Sequence, residues 1–142
     1  MKTVKQLLDT KTIQVYQVSP STSVLDGLKM MTEKNISSLL IMEAEALIGI
    51  FTERDYARKL ILQGKTSKDT LISEAMTLDP ITVRLSDKLD LCMEIMSEKH
   101  IRHLPVVDHQ RVIGMISIGD VVKFIINDQK QTISQLESYI SS

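Results

Sequence analysis

A single cysteine, Cys92, occurs in 142 residues, so no internal disulfide can form and a Cys-based zinc knuckle is excluded. Tryptophan is absent, and the aromatic set is two Phe and three Tyr. A hydrophobic core must therefore be built from Ile, Leu, Val and the eight Met, and stacking platforms for nucleic-acid bases are missing. Neither sign of charge dominates: 17 basic residues stand against 18 acidic ones, a net charge of −1. That balance excludes a strongly basic nucleic-acid clamp and a polybasic membrane patch. No apolar run approaches the ~18 residues of a membrane span, and the first twenty residues, MKTVKQLLDTKTIQVYQVSP, contain no signal-peptide core. The expectation is a cytoplasmic protein with neither a membrane nor a nucleic acid as partner.

What the chain does contain is a repeat. Shifted by 65, the segment from Val18 to Asp55 falls on Val83 to Asp120 without a gap over 38 positions. Ten positions are identical, among them Met31/Met96, Ile36/Ile101, Leu39/Leu104, Gly49/Gly114 and Asp55/Asp120. Average amino-acid usage would give roughly two or three by chance, so the duplication is real.

Each copy reads strand–helix–strand–strand–helix. The β-prone segments Thr12–Val18 and Ile81–Arg84 come first. The Ser/Thr/Asp clusters at Ser21–Ser23 and Ser86–Asp87 offer side-chain caps to helices whose apolar positions follow at helical spacing: Val24, Leu28 and Met31, then Leu89, Met93 and Met96. Leu39–Met42 with Leu47–Phe51, and Leu104–Val107 with Val112–Ile116, are β-rich runs joined by polar turns, which predicts two antiparallel hairpins. Second helices begin near Asp55 and Asp120; the first ends at Gln63–Gly64, where the glycine suits a left-handed cap. The reading is an α+β fold, sandwich-like, with two tandem β-α-β-β-α repeats in pseudo-twofold symmetry. The repeats span 12–63 and 76–127, with an N-terminal segment 1–11, a linker 64–75 and a helical tail 128–142. The tail has Ile133, Leu136 and Ile140 on one face, folded back or offered to a second subunit.

The chemistry-bearing feature closes each hairpin: GIFTERD from Gly49 to Asp55, and GMISIGD from Gly114 to Asp120. A strand ending in a hydroxyl and entering a helix can cap that helix. Its N-terminus, with free N–H groups and partial positive charge, attracts phosphate, and the carboxylate beside it can grip paired ribose hydroxyls. Thr52, Ser117 and the two aspartates serve equally well as plain helix caps, and spacing alone does not decide between the two roles.

With GIFTERD, GMISIGD and HLPVVD in register on a duplicated unit, the chain from about Thr12 to Asn127 resembles the cystathionine-β-synthase-type (CBS) domain pair; TERDYARK, SIGDVVKFII and the tail TISQLESYI look most like small stand-alone members. The resemblance implies a non-catalytic module that binds adenosine-containing ligands (AMP, ADP or ATP, sometimes NAD or S-adenosylmethionine) in clefts between the repeats. It needs no obligatory cofactor, takes an adenine nucleotide as regulatory ligand, forms a homodimer and signals to a partner protein. By the resemblance Asp55 and Asp120 hold ribose hydroxyls, and Thr52 and Ser117 contact ribose or phosphate. Ser37 and Ser38, or Arg102 and His103, face the same clefts, and Ile36, Ile50, Ile101 and Met115 flank the adenine. Arg54 adds a cation in the first motif where the second has Gly119.

Other constellations are weaker. His100 and His103 lack a third metal ligand at recognisable spacing. Gly64-Lys-Thr lacks the earlier glycine of a P-loop, Lys59 standing there instead. Cys92 lies on an amphipathic helix with no base motif nearby, and the methionines at helical spacing read as core. The alternative to a ligand sensor is an interaction scaffold with vestigial clefts. An enzyme ranks last, for want of a nucleophile–base pair or a metal set.

Overall fold

The computed structural model describes residues 2–11 and 14–141. Its elements are α1 (Val4–Asp9), β1 (Gln17–Val18), α2 (Val24–Lys34), β2 (Ser38–Glu43), β3 (Ala46–Thr52), α3 (Glu53–Lys59), α4 (Ile72–Ala75), β4 (Thr77–Leu78), α5 (Leu89–Lys99), β5 (His103–Asp108), β6 (Arg111–Ser117) and α6 (Ile118–Ser141). The two expected hairpins are β2–β3 and β5–β6, antiparallel, with Leu39 opposite Phe51 and Leu104 opposite Ile116. β1 runs parallel to β2, and β4 adds antiparallel to β3, giving a sheet in the order β1-β2-β3-β4; β5 and β6 form a second.

Alternation along the hairpins sorts their faces. One face of β2–β3, with Leu39, Ile41 and Phe51, joins Val24, Met31, Leu60 and Ile72 in the core of the first repeat. Leu104, Val106 and Ile116 do the same in the second, with Leu89, Cys92, Met96 and Val121. The other face carries the cross-strand pairs Leu40/Ile50 and Pro105/Met115. Leu40 is fully buried yet belongs to neither core. It pairs with Ile50 of β3, the strand that approaches β6, and these faces form the pseudo-twofold interface.

The two repeats are tied together by exchanged leading segments. α1 precedes the first repeat but buries Val4, Leu7 and Leu8 in the second core, while α4 precedes the second repeat and buries Ile72 and Ala75 in the first. The backbone bonds repeat the exchange: the Val4 N–H donates to the Asp87 carbonyl at 2.9 Å and the Leu89 N–H to the Lys2 carbonyl at 2.9 Å. In the other half Ile72 donates to Thr22 at 2.7 Å and Val24 to Thr70 at 2.9 Å. These leading segments correspond at a shift of 68, three more than the 65 of the repeats themselves.

Several expectations need correcting. Within Thr12–Val18 only Gln17–Val18 forms a strand, and Thr12 and Ile13 lie outside the described residues. The expected strand Ile81–Arg84 shrinks to one parallel bridge, Val83 to Val106. The reason is Pro105. Its counterpart Leu40 donates its N–H to the Tyr16 carbonyl, and a proline has none to give. Ser23 caps α2 as expected, accepting from the Asp26 N–H, but α5 has Lys88 at its N-cap with no side-chain bond. There Asp87 closes a turn by accepting from the Arg84 N–H at 2.8 Å, and Lys2 satisfies the helix instead. α3 ends at Lys59 and is followed by a 3₁₀ turn, Ile61–Gln63; Gly64 then takes the left-handed cap, at φ 69°. Within the linker, Thr70, Ile72 and Ala75 are buried.

Candidate functional site

Both motif turns form as capping boxes, because each strand delivers its hydroxyl just ahead of a helix that starts with free N–H groups. In the first, the Asp55 N–H donates to Thr52 Oγ1 at 3.3 Å while Asp55 Oδ2 accepts from the Thr52 N–H at 3.0 Å. In the second, the Asp120 N–H donates to Ser117 Oγ at 3.1 Å and Asp120 Oδ2 accepts from the Ser117 N–H at 2.9 Å. The cap role and the placement of a carboxylate at a helix N-terminus are therefore the same geometry.

Each aspartate is also met from the exchanged segment. Thr77 donates to Asp55 Oδ1 at 2.9 Å, and Lys59 Nζ lies 3.2 Å from the same oxygen. Lys11 Nζ donates to Asp120 Oδ2 at 2.8 Å and to the Met115 carbonyl at 3.0 Å. Asp55 is buried and both its oxygens have partners within the chain. Asp120 is half-buried, and among the described residues its Oδ1 has none. Burial works to raise the Asp120 pKa, but the Lys11 hydrogen bond, the Ser117 N–H and the Lys11 charge outweigh it and hold the carboxyl below its ordinary range. Lys11 and Thr77 escape sequence reasoning because they lie outside the repeated span and are not counterparts of each other: at the shift of 68 Lys11 falls on Asp79 and Thr77 on Asp9.

The hairpin registers bring the remaining residues to the same ends. Ser38 stands opposite Thr52, and His103 opposite Ser117. Across the pseudo-twofold, Ser37 Oγ and His103 Nε2 are 3.0 Å apart, and Arg54 Nη1 donates to the His100 carbonyl. Residues of the two repeats thus meet here, and Arg54, Arg102 and His103 collect near one axis. Arg102 is exposed, as is Gly119, where an added Cβ would meet only Ser117 Oγ at 3.7 Å. Burial is the largest influence on His103 and lowers its pKa, against the pull of Asp120; Arg102 lowers it further and Glu53 opposes. Ile50 and Met115 lie on the interface faces, whereas Ile36 and Ile101 pack against the first and second cores.

Two hollows open on the surface, and only the first touches this arrangement. One of about 610 Å³ lies between α1 and α6 and is lined by Lys11, Asp120, Lys123 and Phe124 among others, a size that suits a small ligand. A larger one, about 710 Å³, sits at the hairpin tips around Glu45, Asp79 and Arg111 and contains none of the expected site residues, so size alone does not mark the site. His100 is the left-handed cap of α5, at φ 55°, and among the described residues no group of three His, Cys, Asp or Glu is placed to hold a metal. Cys92 is wholly buried, and burial pushes its thiol up to about 11, so it stays protonated near neutral pH. No described helix is long and apolar enough to cross a membrane.

Comparison with known proteins gives the family. The family model described as CBS domain matches twice, at residues 4–62 and 72–127. The mitochondrial CBS domain-containing protein CBSX3 of Arabidopsis thaliana is 41% identical over 123 residues, covering 83% of this chain and 60% of that protein. The chain thus spans less than two-thirds of that relative, while the Bacillus subtilis protein YhcV, 31% identical, is covered to 80%. Among solved structures, a putative signal-transduction protein with CBS domains from Burkholderia ambifaria is 45% identical with a TM-score of 0.87, over 90% of this chain and 96% of that one. Two further structures contain ligands: CBSX2 in complex with AMP (28% identical, TM-score 0.74, over 91% and 99%), and the CBS domain pair of MJ0100 with 5′-methylthioadenosine and S-adenosylmethionine (28%, TM-score 0.78, over 90% and 98%). None of these relatives belongs by its description to a family of enzymes. The chain belongs to the CBS domain family, as a tandem pair of CBS repeats.

Proposed function

We propose that the chain is a non-catalytic regulatory module which binds an adenosine-containing ligand between its repeats and reports occupancy to a partner protein. The observation that carries this reading is the pair of capping-box aspartates, one at each motif turn, beside Arg54 and His103 at the pseudo-twofold. The AMP and S-adenosylmethionine seen in related pairs support the ligand class. AMP, ADP and ATP head the order, with NAD and S-adenosylmethionine following. The same reading takes the protein as a cytoplasmic homodimer with repeats at 12–63 and 76–127.

In the proposed site, ribose hydroxyls donate to the motif carboxylate, apolar groups such as Ile50 and Met115 border the base, and Arg54, Arg102 and His103 meet phosphate. The clefts are unequal. Asp120 offers an unoccupied oxygen, whereas a ribose at Asp55 must displace Thr77 or Lys59. The second cleft is therefore the tighter. Phosphate in either cleft competes for Arg54 and His103, which now hold groups across the interface, so binding shifts the contacts between repeats and hence the surface shown to a partner. Titration calorimetry with AMP and S-adenosylmethionine tests this: one tight site abolished by Asp120→Ala supports it, and no binding heat with any adenosine ligand contradicts it. The occupied Asp55 favours the scaffold reading for the first cleft alone.

A further inference from the structure

The long helix α6 has two apolar faces with different destinations. Ile118, Val121, Phe124 and Ile125 turn into the second core. A second stripe points outward: Val122 (44% exposed), Ile126 (46%), Ile133 (55%), Leu136 (57%) and Ile140 (81%). With Gln129 filling the remaining place, the outward stripe advances by alternating steps of four and three residues, which is a heptad seam. Isoleucines 126, 133 and 140 occupy its a positions, and Val122, Gln129 and Leu136 its d positions.

We propose that this seam pairs with the same seam of a second copy of the chain as a parallel, in-register two-stranded coiled coil; this rests on the homodimer proposed above and assigns its interface. Three observations choose that occupant. First, all three a positions are the β-branched Ile126, Ile133 and Ile140, with Leu136 at the d position between the last two, a pattern that favours two parallel strands over higher assemblies. Second, a polar residue inside a seam needs a polar partner. Parallel in-register pairing sets Gln129 against Gln129 of the other copy, while antiparallel pairing would set it against isoleucine. Third, every residue from 129 to 141 is exposed, the Lys2–Asp128 ion pair at 3.2 Å marking where the helix leaves the body. A free helix of about a dozen residues is marginal in water. This stretch contains no alanine and is rich in Ile, Ser and Thr, which are weak helix formers. A packed partner supplies what propensity does not. The charges raise no objection: in parallel pairing Thr132 faces Glu137 of the other copy, and no like charges meet across the seam.

The experiment is sedimentation equilibrium on the full chain, wild type and Ile133→Glu/Leu136→Glu, with oxidative cross-linking of Gln129→Cys. Both changed side chains are exposed in the single chain, so the body folds, which an unchanged melt of the folded core verifies; Cys92 is buried and does not compete for the cross-link. The expected result is a wild-type dimer, a dissociation constant raised about 100-fold or more by the double change, and a covalent dimer through position 129. A dimer that survives the double change overturns this interface but leaves the homodimer standing, and wild-type monomer at high concentration overturns both. Cross-linking of Gln129→Cys only when mixed with Ile140→Cys overturns the parallel register.

Discussion

Asp120 is where the account is most exposed to test. Its carboxylate is ionised, held by Lys11 and the Ser117 N–H, and presents one oxygen without a partner among the described residues. Two charge-assisted bonds from ribose hydroxyls at about 1.5–3 kcal/mol each predict that Asp120→Ala weakens adenosine-ligand affinity by about 100-fold or more. The variant also loses the reciprocal half of the capping box and the Lys11 ion pair while keeping the Ser117 cap, a stability cost that a ligand-free melt measures separately. Asp55→Ala is expected to change affinity less and stability more, because that carboxylate also holds Thr77 and Lys59. His103 sets the pH dependence. In the unfolded chain it takes a proton near 6.5, and in the folded one only at lower pH, so acid favours unfolding. Asp120 acts in the same sense at lower pH still, since its stabilisation is lost as pH falls through its depressed pKa. Melting temperature should therefore fall from pH 7 toward pH 5, and His103→Gln should flatten that decline; a wild-type profile that is level over this range contradicts the assignment.

At the scale of elements, the hairpins and the motif helices are legible because alternation and the repeat speak together: Leu39 to Phe51 and Leu104 to Ile116 are apolar on the core face and share one register. The exchanged helices are not legible. α1 is six residues and α4 four, too short for a periodicity to emerge, and their correspondence at 68 is hidden behind the 65 of the repeats. Strand Ile81–Arg84 fails for a local reason, the missing N–H of Pro105, which no reading of that strand's own residues contains. The exchange predicts that Leu7→Ala, at the N-terminus, destabilises the second repeat by about 2–5 kcal/mol. Chemical denaturation should show it, and a loss below ~1 kcal/mol would mean α1 is only docked. Gly49 lets β4 and Met76 approach β3. A Cβ there would fall 2.4 Å from Met76 Sδ and 3.1 Å from the Thr77 carbonyl, so Gly49→Ala should cost about 1–3 kcal/mol.

The whole molecule is a pair of repeats locked by exchange, with its candidate clefts joined through Ser37–His103 and Arg54–His100. The motif residues of those clefts are visible in the sequence, since duplication marks Thr52, Asp55, Ser117 and Asp120 directly. Their inequality is not, because it comes from Lys11, Lys59 and Thr77, which only the fold brings to the aspartates. On the proposed reading Arg54 and His103 serve both clefts, so a ligand in one is expected to change what the other holds. The most direct test of the central claim is the thermal melt of the full chain with AMP, ADP, ATP, NAD or S-adenosylmethionine, beside Asp120→Ala. The account predicts that at least one ligand raises the midpoint of the wild type in proportion to the logarithm of its concentration and leaves Asp120→Ala nearly unmoved. No shift with any of them at millimolar concentration, or an equal shift in both proteins, would contradict it.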